Sequence, residues 1–86
     1  MREKLLDVEI FWLPLTKEVF FEGKAKSVSS ENKLGKFDVL PEHANFVSLI
    51  FNEVTIITEK GEKINYKFKR GVLKVSENKV RIFLGF

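Results

Sequence analysis

The 86-residue chain reads as an all-β fold: one domain, residues 1–86, of about eight or nine mostly antiparallel strands arranged as two sheets packed face to face or as a flattened barrel. Three observations point there. Leu6-Asp7-Val8-Glu9-Ile10, Ile64-Asn65-Tyr66-Lys67-Phe68-Lys69 and Val80-Arg81-Ile82 alternate apolar and polar residues, which sets one strand face on a core and the other in water. Turn signals separate such runs at close intervals. The composition is 44% hydrophobic, with nine Phe, nine Val and six Ile, and without cysteine the fold must rest on a tightly packed core rather than on disulfides.

Taken in order, the first strand begins near Leu6 and ends at Phe11-Trp12-Leu13-Pro14, because Pro14 lacks the N–H that a ladder needs. Val19 to Val28 forms the next. Ala25 and Val28 both favour the core yet lie three apart, so a bulge near Lys26 or Ser27 is expected. The run from Ala44 to Phe51 is apolar on both sides and is compatible with two turns of buried helix. Its β-branched Val47 and Ile50, its length, and the flanking Pro41 and Asn52-Glu53 favour a strand. Lys60-Gly61 joins two strand-like runs, Arg70-Gly71 breaks the next pair, and Glu77-Asn78 separates Val75 from Val80, so the second half is a meander of hairpins. One open sheet would leave an apolar face wet, whereas two packed sheets or a flattened barrel would not.

The missing cysteines exclude disulfide scaffolds, thiolate metal sites and cysteine nucleophiles, and fit a reducing compartment. No apolar run approaches the length of a spanning helix, and Met1-Arg2-Glu3-Lys4 leads into a segment broken by Asp7 and Glu9. Neither a membrane span nor a signal peptide is expected, and the cytoplasm is the default location. Enzymatic chemistry finds few groups to use. His43 is the single imidazole and has no partner for a closed metal site; Asp38, across Pro41, reads as a structural neighbour beside a turn. The glycines stand isolated at 23, 35, 61, 71 and 85, so no phosphate-cradling loop is present. No catalytic residue, metal or cofactor is predicted.

Charge is uneven beneath a net +3. Residues 60 to 74 hold Lys60, Lys63, Lys67, Lys69, Arg70 and Lys74 against Glu62 alone, while residues 1 to 59 are net acidic. With Lys63, Lys67 and Lys69 on one outward strand face, the stripe from Lys60 to Lys74 offers an alternative function, a free-standing β-rich module that binds nucleic-acid phosphates. A solvated face whose lysines discourage sheet-to-sheet pairing is the preferred reading, because Tyr66 and Phe68 turn inward with Ile64 instead of standing out to stack on bases. Some apolar residues do not fit the core: Leu5, Phe11 and Leu13 oppose Leu6, Val8, Ile10 and Trp12, and Phe83 opposes Val80, Ile82 and Leu84. They mark either a partner patch or strand ends covered by loops or by the other sheet. With no catalytic groups, the chain reads best as an interaction subunit.

The run Gly35-Lys36-Phe37-Asp38-Val39-Leu40-Pro41-Glu42-His43-Ala44 resembles the Gly-x-Phe-x-(Ile/Val)-Leu-Pro-Gly-His-Ala signature of the epsilon-subunit family of the rotary F-type ATP synthase, called delta in mitochondria. Phe21-Glu22-Gly23 followed by Ser27-Val28 is similar to that family's early strand. Arg70-Gly71-Val72-Leu73-Lys74-Val75 followed by Asn78-Lys79-Val80 is similar to the end of its amino-terminal domain. The resemblance implies a flattened ten-stranded sandwich, which takes the expected count to about eight to ten strands.

It also implies a non-catalytic subunit of the central stalk that binds the gamma subunit and touches the c ring, coupling proton-driven rotation to ATP synthesis. Such a subunit sits on the cytoplasmic side and meets the membrane only through the complex. By position, Pro41, Glu42, His43, Ala44, Asn45 and Phe46 would lie at the gamma contact. The turn formed by Glu31, Asn32, Lys33, Leu34, Gly35 and Lys36 would approach the polar loops of the c ring. Three residues depart from the family pattern: Glu42 replaces a glycine that tolerates positive φ, Asn45 stands where proline is common, and Lys36 stands where many members carry an acidic or small residue. Family members continue past the sandwich into a regulatory helical hairpin, and a chain ending at Phe86 is expected to lack it.

Overall fold

The computed structural model describes residues 4–12 and 19–85, which form six strands: β1 (Leu6–Trp12), β2 (Val19–Asn32), β3 (Gly35–Val39), β4 (Phe46–Thr58), β5 (Lys63–Ser76) and β6 (Lys79–Leu84). They are hydrogen-bonded in the order β1-β6-β5-β4-β2-β3, and β1 also pairs with β2, so five strands close on themselves and β3 adds to β2. β1 and β6 run parallel; the other pairs are antiparallel.

Three long strands each serve two layers. Residues 19–25 of β2 pair with β1, whereas residues 25–32 pair with β4 and β3. Residues 71–76 of β5 pair with β6, while β4 follows β5 along nearly its whole length. A first sheet therefore runs β2, β1, β6, β5, β4, and a second runs β5, β4, β2, β3. Aromatic pairs close the two long edges between the layers. Phe21 of β2 meets Tyr66 of β5 edge to face at 6.5 Å, and Phe37 of β3 meets Phe46 of β4 at 6.0 Å. The alternation first seen in the sequence fills the space between: Leu6, Val8 and Ile10 from β1, Val80, Ile82 and Leu84 from β6, and Val54 and Ile56 from β4 belong to one buried cluster. Among the described residues Ser30 is the buried polar one, and its hydroxyl donates to the Glu53 carbonyl at 2.7 Å.

The all-β sandwich stands as expected, with one correction to its strands. Counted layer by layer there are nine segments, yet they come from six continuous strands, because the breaks expected at Arg70-Gly71 and Asn52-Glu53 are a bulge rather than turns. The β4–β5 register passes from Phe51–Arg70 to Asn52–Phe68 and leaves Lys69 over. Inward positions on β5 consequently shift from Ile64, Tyr66 and Phe68 to Gly71, Leu73 and Val75. Asn52 takes φ 74°, a conformation asparagine tolerates better than most residues. Gly71 is required by close approach: a Cβ there would lie 2.6 Å from the Phe83 carbonyl oxygen and 2.7 Å from Leu84 Cδ2.

Other expectations hold. The β2–β4 register slips between Ala25 and Ser27, as the spacing of Ala25 and Val28 demands. The apolar run from Ala44 to Phe51 is strand from Phe46 onward. The expected terminators Leu13 and Pro14 lie outside the described residues.

Candidate functional site

The two segments singled out in the sequence sit at opposite ends of β3. Its first residue, Gly35, follows the β2–β3 turn, and its last, Val39, leads into the connection to β4. At the first end, Asn32 Oδ1 accepts the Leu34 N–H at 2.9 Å and tightens the turn. Leu34 is left 96% exposed at its tip, beside exposed Lys33, Gly35 and Lys36. Glu31 faces back along the sheet and accepts from Asn52 Nδ2 at 2.9 Å.

At the other end, residues 40–45 carry no strand and are held by polar contacts. His43 N–H donates to the Leu40 carbonyl at 3.3 Å, and His43 Nδ1 faces the Leu40 N–H at 3.5 Å, so the imidazole closes its own turn. Glu42 adopts φ 67° without being glycine; its N–H donates to Asn78 Oδ1 at 2.6 Å and its carboxylate pairs with Lys4 at 3.0 Å. Asn45 bonds to Glu77. Pro41 is half-buried, and Leu40, Glu42, His43, Ala44 and Asn45 are exposed. Phe46 differs from its neighbours: its ring turns inward onto Phe37 and the core, and the side chains that face out beyond it are Val47 and Leu49.

Val47 and Leu49 open a surface that sequence reasoning captured only in part. On the outer face of the first sheet the registers align Phe11 with Phe83, Phe83 with Val72, and Val72 with Leu49. Phe11 and Phe83 stack at 5.3 Å with planes 12° apart, and Leu49 and Val47 are 57% and 65% exposed. Phe51 continues the row, and with Lys33, Leu49, Arg70 and Val72 it lines a shallow depression of about 460 Å³. Phe11 and Phe83 were visible as outward residues because their strands alternate cleanly. Val72 was hidden by the parity slip at Lys69, and Val47 and Leu49 by a run that is apolar on both faces.

Two ion pairs lie to one side of the apolar row. Arg81 Nε contacts Glu9 at 3.2 Å, and Lys24 contacts Asp7 at 2.6 Å. The hydrogen bond and charge of Asp7 hold the Lys24 ammonium above its ordinary pKa.

Lys63, Lys67 and Lys69 keep the exposed parity of β5 up to the bulge, as expected, but the stripe does not continue to Lys74 as one surface. Lys63, Lys67 and Lys69 lie on the exposed face of the second-sheet part of β5, Lys69 at the bulge, whereas Lys74 projects from the first sheet, because β5 changes layer beyond the bulge. Among the described residues no three His, Asp or Glu side chains cluster as a metal site, and no helix is long and apolar enough to cross a membrane.

Residues 15–84 match the family described as "ATP synthase, Delta/Epsilon chain, beta-sandwich domain". The chain is 33% identical over 67 residues to an ATP synthase epsilon chain of Clostridium novyi, covering 77% of this chain and 51% of that one. It is 36% identical over 62 residues to the ATP synthase epsilon chain of a Sulfurovum species, covering 71% and 48%. It thus spans about half the length of these relatives. Among solved structures, a chain of the Euglena gracilis mitochondrial ATP synthase OSCP/F1/c-ring assembly superimposes with a TM-score of 0.82 at 17% identity, over 93% of this chain and 50% of the other. One from the Tetrahymena thermophila mitochondrial ATP synthase central stalk and c-ring gives 0.72 at 11% identity, over 100% and 67%.

Proposed function

Because this chain belongs to the ATP synthase delta/epsilon chain β-sandwich domain family, we propose that it is a non-catalytic central-stalk subunit of a rotary ATP synthase, binding gamma at one surface and meeting c-ring loops at another. The observation that carries this reading is the placement of the two recognised segments at opposite ends of β3, on a disulfide-free sandwich with one densely filled core. A subunit that couples rotation needs two separated contacts joined by a body that deforms little, and close-packed interiors resist deformation.

In this reading gamma covers residues 41–45 and the adjoining first-sheet row from Val47 and Leu49 to Val72, Phe83 and Phe11. Burying that row removes apolar surface from water at about 25 cal/mol per Å², so it supplies much of the affinity. The turn at Glu31 to Lys36 meets the polar c-ring loops. Lys36 brings a positive charge there, so an acidic loop partner fits it and a basic one does not. The subunit reaches the membrane through the complex.

Co-expression with the cognate gamma subunit tests the reading. The two chains are expected to co-elute at low salt as a one-to-one complex, and separate elution would refute it. A basic nucleic-acid surface is the less favoured reading, since Tyr66 and Phe68 pack against the core instead of standing out to stack on bases, and Lys74 lies on the other sheet.

A further inference from the structure

We propose that Asn78 and Asn45 are positioning residues for the segment 41–45: a reciprocal pair of asparagines ties this segment to the β5–β6 turn and sets the shape it presents to a partner. The partner is the gamma subunit, a part of the proposal that rests on the function proposed above.

The β5–β6 connection is a two-residue hairpin turn with Glu77 at φ 50° and Asn78 at φ 63°. Such a turn demands positive φ at both positions, which glycine would meet with less strain than either residue. The side chains therefore do more than permit the turn. Asn78 Oδ1 accepts the Glu42 N–H at 2.6 Å, and Asn45 Oδ1 accepts the Glu77 N–H at 3.0 Å. Each loop lends an asparagine side chain to the backbone of the other. Asn45 Nδ2 adds a longer contact to the Glu77 carboxylate at 3.5 Å. The turn is anchored in its own right, because the Asn78 carbonyl accepts the Asp7 N–H at 2.8 Å and Val80, two residues on, is fully buried.

Among the described residues the segment itself has no comparable anchor. Residues 42–45 are exposed, and apart from the local Leu40–His43 turn and the Lys4–Glu42 pair, their recorded ties run to Glu77 and Asn78. The exposed ion pair contributes little. Shape in this segment is thus imposed by a turn more than thirty residues away in sequence. Its Glu42 N–H bond holds the one residue of the segment that occupies the left-handed region. A contact segment ordered before binding costs less to immobilise when a partner arrives.

The test separates the positioning role from the fold and from the identity of the partner. Asn78→Gly keeps the positive φ and deletes the acceptor, Asn78→Asp keeps an acceptor oxygen, and Asn45→Ala removes the second tie. Amide hydrogen exchange of the isolated chain is expected to speed up about threefold to tenfold at Glu42 in Asn78→Gly and at Glu77 in Asn45→Ala, the scale of one net hydrogen bond. Exchange at Leu73 and Ile82 stays as in wild type, and Asn78→Asp restores Glu42. Affinity for gamma falls by a similar factor in the first two variants and recovers in Asn78→Asp. Unchanged exchange at Glu42 in Asn78→Gly overturns the proposal. Faster exchange with unchanged gamma affinity overturns the positioning role. If wild type binds no gamma, the proposed function fails and the positioning role with it, while the exchange data still decide whether the tie exists.

Discussion

The outer faces of the two sheets share β2, β4 and β5, yet their side chains solve the surface problem differently. On the second sheet, neighbouring residues satisfy one another: Ser29 donates to Asp38 at 2.6 Å, Asn65 to Thr55 at 2.8 Å, and Asn52 to Glu31 at 2.9 Å. On the first, Phe11, Phe83, Val72 and Leu49 form an apolar row across four strands, bordered by the Glu9–Arg81 and Asp7–Lys24 ion pairs. The difference is one of completeness. A polar lattice has little to gain from a cover, whereas an apolar row gains by being buried. A family member whose role is binding is best recognised by the face that its own residues leave unfinished.

Four experiments break or sharpen this contrast. The largest effect is expected where β5 leaves one sheet for the other, since the two faces exist only because the strand crosses. Gly71→Ala drives a methyl group into the Phe83 backbone and the Leu84 side chain and should cost about 1–3 kcal/mol in urea unfolding; an unchanged midpoint would mean the crossing lies elsewhere.

Next comes the same substitution placed once on each face. Leu49→Asp should lower gamma affinity about tenfold or more, the scale of one lost apolar side-chain burial, while Thr55→Asp leaves it within about twofold. Equal losses would erase the distinction between the faces. A smaller effect tests the lattice directly. Asn65→Ala removes one exposed hydrogen bond and should destabilise by about 0.5 kcal/mol or less, without altering gamma binding measured by titration.

The smallest concerns the ion pairs beside the row. Asp7 raises the Lys24 pKa in the folded chain, so the stabilisation it brings is present below the unfolded value, near 10.5, and is lost as pH rises through the folded one. Wild type should lose slightly more stability than Lys24→Met between pH 8 and 11.5. Identical losses would show that the pair contributes nothing.

Much of the architecture was legible because alternation is a local signal. Leu6 to Ile10 and Val80 to Ile82 could be read directly, and the bulge at Lys26 followed from two core residues spaced one position wrongly. Arg70-Gly71 was misleading for an instructive reason. A glycine beside a parity slip looks like a turn, although here the slip is one surplus residue and the glycine answers a steric demand from β6. The segment 41–45 was legible only through its resemblance to a family signature. Its ties to Glu77 and Asn78 were not, because no periodicity links residues separated by a whole hairpin. Nor did the apolar run of β4 reveal which of its sides is wet, which depends on what the second layer covers.

The three strands that pass through both layers also bear on how the two layers resist sliding past one another. Two sheets joined only by apolar contact can shear past one another, since grease resists sliding weakly. In this domain, relative sliding must stretch continuous peptide backbone in β2, β4 and β5 or tear the hydrogen-bonded ladders beside them. The layers are stitched rather than stacked. A shear between the layers is thus opposed by covalent bonds and backbone ladders as well as by apolar contact.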